Sequence, residues 1–256
     1  MRAECLFVGI LLFFAADLFR GCLDTEESRP YDLCGFGYAA KRRMEKGGYM
    51  EKETLALYAI TDSRLVKEQS FYEQIEDALK GGVTLLQLRE KDMAEEELLK
   101  EALEVQKICK KYKVPLIIND NAELAKRIDA DGVHVGQSDL DAAEARKLLG
   151  PEKIIGVTAK TVEQAKAAQK AGADYLGSGA VFGTTTKPDA KPMTIELLRE
   201  IVEAVEIPVV AIGGIDISNA HKLAKTGIAG IAVVSGIFGK SDCCAAAGEL
   251  KAVCLQ

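Results

Sequence analysis

Residues 83–120 read VTLLQLREKDMAEEELLKEALEVQKICKKYKVPLIIND, and the change of period inside this stretch decides the fold. Val83 to Glu90 is a short run of Val and Leu with little polar alternation, the pattern of a strand covered on both faces. From Ala94 to Lys113 apolar residues recur at helical spacing, and Pro115 to Asp120 returns to the strand pattern.

The same unit is legible along the rest of the chain. Further apolar runs lie at Leu55 to Asp62, Gly132 to Gln137, Lys153 to Ala159, Tyr175 to Phe182, Ile207 to Gly214 and Ile228 to Gly236, which makes eight with the two already quoted. Segments such as Thr161 to Gly172 and Thr194 to Val205 carry helical spacing between them. Strand then helix, repeated eight times over about 200 residues, predicts the α/β class and a single (β/α)8 TIM barrel, whereas the alternative, an open doubly wound sheet, usually carries fewer strands.

Composition agrees with one globular domain: 256 residues, 48% hydrophobic and 28% charged, suffice for a large core. A net charge of −6 argues against a nucleic-acid surface and leaves anion binding to local basic groups. The seven cysteines are odd in number and lack metal-like spacing, so they read as reduced thiols of a cytoplasmic protein, with Cys243 and Cys244 as packing residues.

Residues 1–49 stand outside the repeat. Cys5 to Ala16 is an apolar run of twelve residues, too short for a membrane span, and only Arg2 gives it a basic flank. The reading expects residues 1–49 to be an N-terminal extension outside the fold and residues 50–256 to form the catalytic barrel. It takes Met50 as the true start, with a genuine leader as the alternative.

In such a barrel the strand ends meet at one mouth, where distant segments can act on one ligand. Arg89 and Lys91 follow the second run and suit phosphate oxygens, unless Glu90 and Asp92 make the cluster merely a solvated one. Asp120 ends the third run and Asp139 follows the fourth, so the two carboxylates offer hard oxygens to Mg²⁺. The competing reading has Asp120 or Asn121 cap the helix after the third run and Asp139 cap the next one. Thr184-Thr185-Thr186-Lys187 forms a hydroxyl-rich loop ending in a cation, and it reads either as a binding loop or as an ordinary turn before Pro188. Gly213-Gly214 after the seventh run and Ser235-Gly236 after the eighth suit a phosphate held by backbone amides. Of the two histidines, His134 reads as a packed or hydrogen-bonded residue, with a role in the site as the alternative, and His221 falls in a helical segment.

The ordered set LYAITD, QLREK, IIND, DGVHVGQSD, IIGVTAK, GTTTKPDA, AIGGI and VVSGIF resembles the thiamine-phosphate synthase family from about Leu55 to the C-terminus. The resemblance implies a transferase that joins a hydroxymethylpyrimidine diphosphate to a thiazole phosphate by dissociative substitution, with Mg²⁺. By matching motif, Arg89, Lys91, Asn119, Thr158 and Lys187 would hold the diphosphate, and Asp120 and Asp139 the metal. Gln87 would face the aminopyrimidine. Thr184 and Thr186 would contact the thiazole phosphate with the backbone at Gly214, Val234 and Ser235. Loop six departs from the family, Gly183 standing where proline is common. A related thiazole tautomerase, or a non-catalytic barrel that binds a thiamine precursor, is the alternative. No membrane or nucleic-acid partner is expected, and oligomeric state is left open.

Overall fold

The protein, seen in a computed structural model, is described over residues 50–254 except Lys67, Asp92, Ser138 and residues 184–191. The expectation for residues 1–49 therefore lies outside the described residues. Eight parallel strands close in sequence order: β1 Leu57–Ile60, β2 Leu85–Leu88, β3 Leu116–Asn119, β4 Gly132–Val135, β5 Ile154–Thr158, β6 Tyr175–Gly179, β7 Val209–Ile212 and β8 Gly230–Val233. Closure is through β1 and β8, with Tyr58 opposite Ala232. Each strand falls inside the apolar run that predicts it.

Helices α1 Lys52–Leu55, α2 Phe71–Lys80, α3 Glu95–Tyr112, α4 Ala122–Arg127, α5 Ala142–Leu149, α6 Val162–Lys170, α7 Ile195–Glu203, α8 Ser235–Phe238 and α9 Cys243–Cys254 accompany the strands. Polar starts fix several of them. Ser70 and Glu73 form a reciprocal capping box on α2, and Thr161 and Thr194 cap α6 and α7, each cap contributing about 1 kcal/mol. Crossover seven departs from the repeat: β7 and β8 are joined by a single 3-10 turn, Ala220–Leu223, which includes His221. There the side chain of Asn219 accepts from the Asp216 amide at 3.0 Å and donates to the Gly214 carbonyl at 2.8 Å, so local side-chain bonds replace a helical turn.

Closure gives every strand two different buried faces. Leu57, Ala59, Leu86, Leu116 and Ile118 point out and pack under the helices. Tyr58, Ile60, Leu85, Ile117, Ile154, Tyr175 and Val210 point in and fill the barrel axis together with Leu55 of α1. Burying each Leu or Ile here contributes roughly 1.5–3 kcal/mol. At the end of the barrel away from the mouth, buried Asp174 is tied to Arg146 at 2.6 Å and to the Ile155 amide at 2.8 Å. No described helix is long and apolar enough to cross a membrane.

Candidate active site

The inward alternation that fills the axis with aliphatic side chains changes character toward the C-terminal strand ends. There the axis-facing residues are Gln87, Asn119, His134 and Thr158, and with Arg89 and Lys160 they line a cavity. The far wall is backbone: Gly213 and Gly214 hold φ of +105° and +64°, and a Cβ on Gly214 would collide with the Phe182 and Gly183 carbonyls. Only glycine fits both the conformation and the space. Val234 and Ser235, at the start of α8, complete that wall. The expected site residues Gln87, Arg89, Asn119, Thr158, Gly214, Val234 and Ser235 thus share one cavity, while Thr184, Thr186 and Lys187 lie outside the described residues.

The two readings of the acidic pair separate on local geometry. Helix α4 is capped by Asn121, whose side chain accepts from the Leu124 amide at 2.8 Å, and α5 by Asp141, which accepts from the Ala143 amide. Neither Asp120 nor Asp139 is spent as a cap. Asp120 instead sits at the tip of a three-residue turn, φ +59°, with the Asn121 amide donating to the Asn119 carbonyl at 2.7 Å. That conformation costs on the order of 1 kcal/mol. Asp139 folds back over Gly136, whose amide donates to its Oδ2 at 2.8 Å. Burial and then the neighbouring Asp139 carboxylate raise the Asp120 pKa, against the opposing Asn119 amide bond and the Lys91 charge. Two carboxylates so placed repel each other unless a proton or a cation lies between them. Their hard oxygens and mutual approach fit a Mg²⁺ site.

Glu90 does not neutralise the cations beside it. Its carboxylate turns toward β1, accepting from the Ser63 hydroxyl at 2.5 Å, the Ser63 amide at 3.3 Å and the Thr61 hydroxyl at 3.3 Å. Arg89 and Lys91 form no ion pair with a described residue, and they border a common recess with Asp62, Arg64, Glu90 and Glu97. Arg89 reaches both that recess and the main cavity, whereas Lys91, Asp120 and Asp139 are not among the residues lining the latter. The arrangement sets cations and a carboxylate pair at the edge of a cavity whose largely apolar wall carries Gln87, Asn119, His134 and Thr158, suited to a multiply charged anion beside a flat ring.

Two side chains exceed the sequence reading. Tyr58 and Tyr175 sit inside strands that read as uniformly apolar; Tyr58 lines the cavity and Tyr175 is fully buried, while His134 is hydrogen-bonded, as expected, and also lines the cavity. The available signal was their strand parity, since Tyr58, Ile60 and Gln87 alternate onto the inner face once β1 and β2 are aligned with Ile60 opposite Gln87.

A profile of the thiamine monophosphate synthase family matches residues 57–237. The chain is 52% identical over 194 residues to a thiamine-phosphate synthase of Ruminiclostridium cellulolyticum, covering 76% of this chain and 92% of the relative. It is 50% identical over 189 residues to the thiamine-phosphate synthase of Clostridium acetobutylicum, covering 74% and 90%. Among solved structures, a thiamine phosphate pyrophosphorylase from Pyrococcus furiosus superposes with a TM-score of 0.74 at 40% identity, over 80% of this chain and 97% of that one.

Proposed function

The chain belongs to the thiamine monophosphate synthase family, and on that premise we propose how its barrel mouth joins the two halves of thiamine phosphate. The relatives are thiamine-phosphate synthases, and in the reaction that this resemblance implies a pyrimidinylmethyl group is transferred: 4-amino-2-methyl-5-hydroxymethylpyrimidine diphosphate and 4-methyl-5-(2-hydroxyethyl)thiazole phosphate give thiamine phosphate and diphosphate. In the dissociative course the C–O bond to the diphosphate breaks with its electron pair leaving on oxygen. The ring amino group stabilises the pyrimidinylmethyl cation, and the thiazole nitrogen then donates its lone pair to form the C–N bond. No proton needs removing for that attack, which agrees with a site rich in cations and poor in bases.

Arg89, Lys91, Asn119 and Thr158 bind the diphosphate in this reading, Arg89 by its two-pronged guanidinium. Lys187 of the sixth loop joins them, and Thr184 and Thr186 hold the thiazole phosphate with the amides of Gly214, Val234 and Ser235. Gln87 meets the edge of the aminopyrimidine. Asp120 and Asp139 hold Mg²⁺, which supplies positive charge to the departing diphosphate when bound. The observation that carries the assignment is a carboxylate pair excused from helix capping, with Lys91 near Asp120 and with Arg89 and Lys91 in no ion pair with a described residue. Free thiols at Cys109, Cys243, Cys244 and Cys254 are in keeping with a cytoplasmic enzyme.

The test is diphosphate release by the purified protein given both substrates, with Mg²⁺ or with a chelator. Metal-dependent release that needs both substrates and yields thiamine phosphate is the expected result. A folded protein that releases none, while still binding thiazole phosphate, would sink the synthase reading in favour of a tautomerase or a binding barrel.

A further inference from the structure

Five polar side chains form one line across the inside of the barrel. Gln87 Nε2 lies 2.5 Å from Tyr58 Oη, which lies 2.8 Å from Tyr175 Oη. Tyr175 Oη is 3.0 Å from His134 Nδ1, and His134 Nε2 is 3.0 Å from Thr158 Oγ1. The space is reserved by sequence, for a Cβ on Gly156 would strike both the Tyr175 ring and His134 Nδ1. Gln87, Tyr58 and Tyr175 are buried, and burial holds both phenols well above the ordinary tyrosine range, so each keeps its single proton to donate.

A line of groups with one proton each must run in one direction throughout. If the Gln87 amide nitrogen donates, Tyr58 donates to Tyr175 and Tyr175 to His134 Nδ1. His134 then carries its proton on Nε2 and gives it to Thr158. The cavity is left with the Gln87 carbonyl oxygen, an acceptor, at one end and the Thr158 hydroxyl proton, a donor, at the other. The reverse direction leaves an amide donor at Gln87 and only oxygen lone pairs at Thr158. Given the site reading above, on which this argument rests, the ends choose between the two. The exocyclic amine of the pyrimidine is a donor and wants the Gln87 oxygen, while the diphosphate at Thr158, where Lys160 also lines the cavity, wants a donor.

We infer that His134 is a positioning residue for the condensation: a neutral imidazole protonated on Nε2, it fixes the direction of this line, so that Gln87 presents an acceptor to the pyrimidine and Thr158 a donor to the diphosphate. It touches neither reacting atom. Its effect passes through the two residues at the ends, and specificity for an aminopyrimidine follows because a ring with an acceptor at that edge would face the Gln87 oxygen lone pairs.

The direct test is long-range ¹⁵N–¹H correlation of the imidazole in ¹⁵N-labelled full-length protein. The chain has two histidines, and replacing the exposed one, His221→Gln, leaves His134 alone in the spectrum. The expected spectrum is that of the neutral Nε2–H tautomer at neutral pH. An Nδ1–H tautomer or an imidazolium overturns the proposal even if the protein makes thiamine phosphate. The expected tautomer in a protein unable to make it supports the direction of the line and counts against the functional reading. Kinetics give a second test. Tyr58→Phe cuts the line beside Gln87 and should raise KM for the pyrimidine diphosphate about tenfold, the worth of one hydrogen bond, with KM for thiazole phosphate unchanged. An equal rise in both would mark a merely structural chain and overturn the proposal; if this variant does not fold, the tautomer decides.

Discussion

Asp120 is left-handed, half-buried and set against a second carboxylate, and all three conditions cost stability. Its folded pKa is raised, first by burial and then by Asp139. The carboxyl therefore favours folding when protonated, and that contribution is lost as pH rises through the folded value. Asp120→Asn should accordingly raise the Tm of the metal-free protein at neutral pH and abolish the further rise that Mg²⁺ gives the parent, both read by thermal denaturation. Asp120→Ala should lower turnover by at least about 100-fold, the upper end of what is lost with a residue that merely supports a metal ligand. Thiazole phosphate binding, measured by calorimetry, should survive it. Arg89→Lys keeps the charge and loses the fork, so kcat/KM for the pyrimidine diphosphate should fall at least about tenfold. Sequence reading reached these residues because charge after an apolar run marks a strand end. It missed the inward, hydrogen-bonded side of Tyr58 and Tyr175, since a strand apolar on both faces gives no alternation to show which residues face the axis.

At the scale of the element, the strands and helices were legible because period, glycine and cap signals agree, as at Ser70 and Thr161. Crossover seven was not, because Asp216 and Asn219 satisfy the backbone locally and a composition pattern does not separate that from a short helix. Helix α3 carries a cost of its own. Glu101 has an inward carboxylate oxygen with no hydrogen-bond partner among the described residues. Burial, assisted by Glu90, pushes its pKa up to about 7. Because the folded value lies above the unfolded one, stability falls as pH rises from the ordinary glutamate range through 7. Glu101→Gln should therefore raise the Tm at about pH 8 and change it little at about pH 4. A gain of equal size at both would exclude the charge as its cause. Arg146 acts on the opposite sign of the ledger of charge: Arg146→Ala strips buried Asp174 of its cation and should destabilise the fold by about 3 kcal/mol, measured by denaturant unfolding.

The molecule as a whole separates packing from chemistry by depth. Inside the strands the axis is filled by Leu55, Leu85, Ile117, Ile154 and Val210, so the cavity above them has a closed floor. Gln87, Tyr58 and His134 belong to the strands themselves, whereas Gly214, Val234 and Ser235 follow the strand ends and stand nearer the opening. A vessel closed below and entered from above imposes a queue. If Gln87 meets the pyrimidine and the backbone beyond the strand ends meets the thiazole phosphate, as proposed, the flat pyrimidine has to arrive before the thiazole phosphate, which then sits over it like a stopper, and the joined product has to leave before the next pyrimidine enters. An unreactive analogue of the thiazole phosphate should thus inhibit uncompetitively against the pyrimidine diphosphate, trapping it beneath.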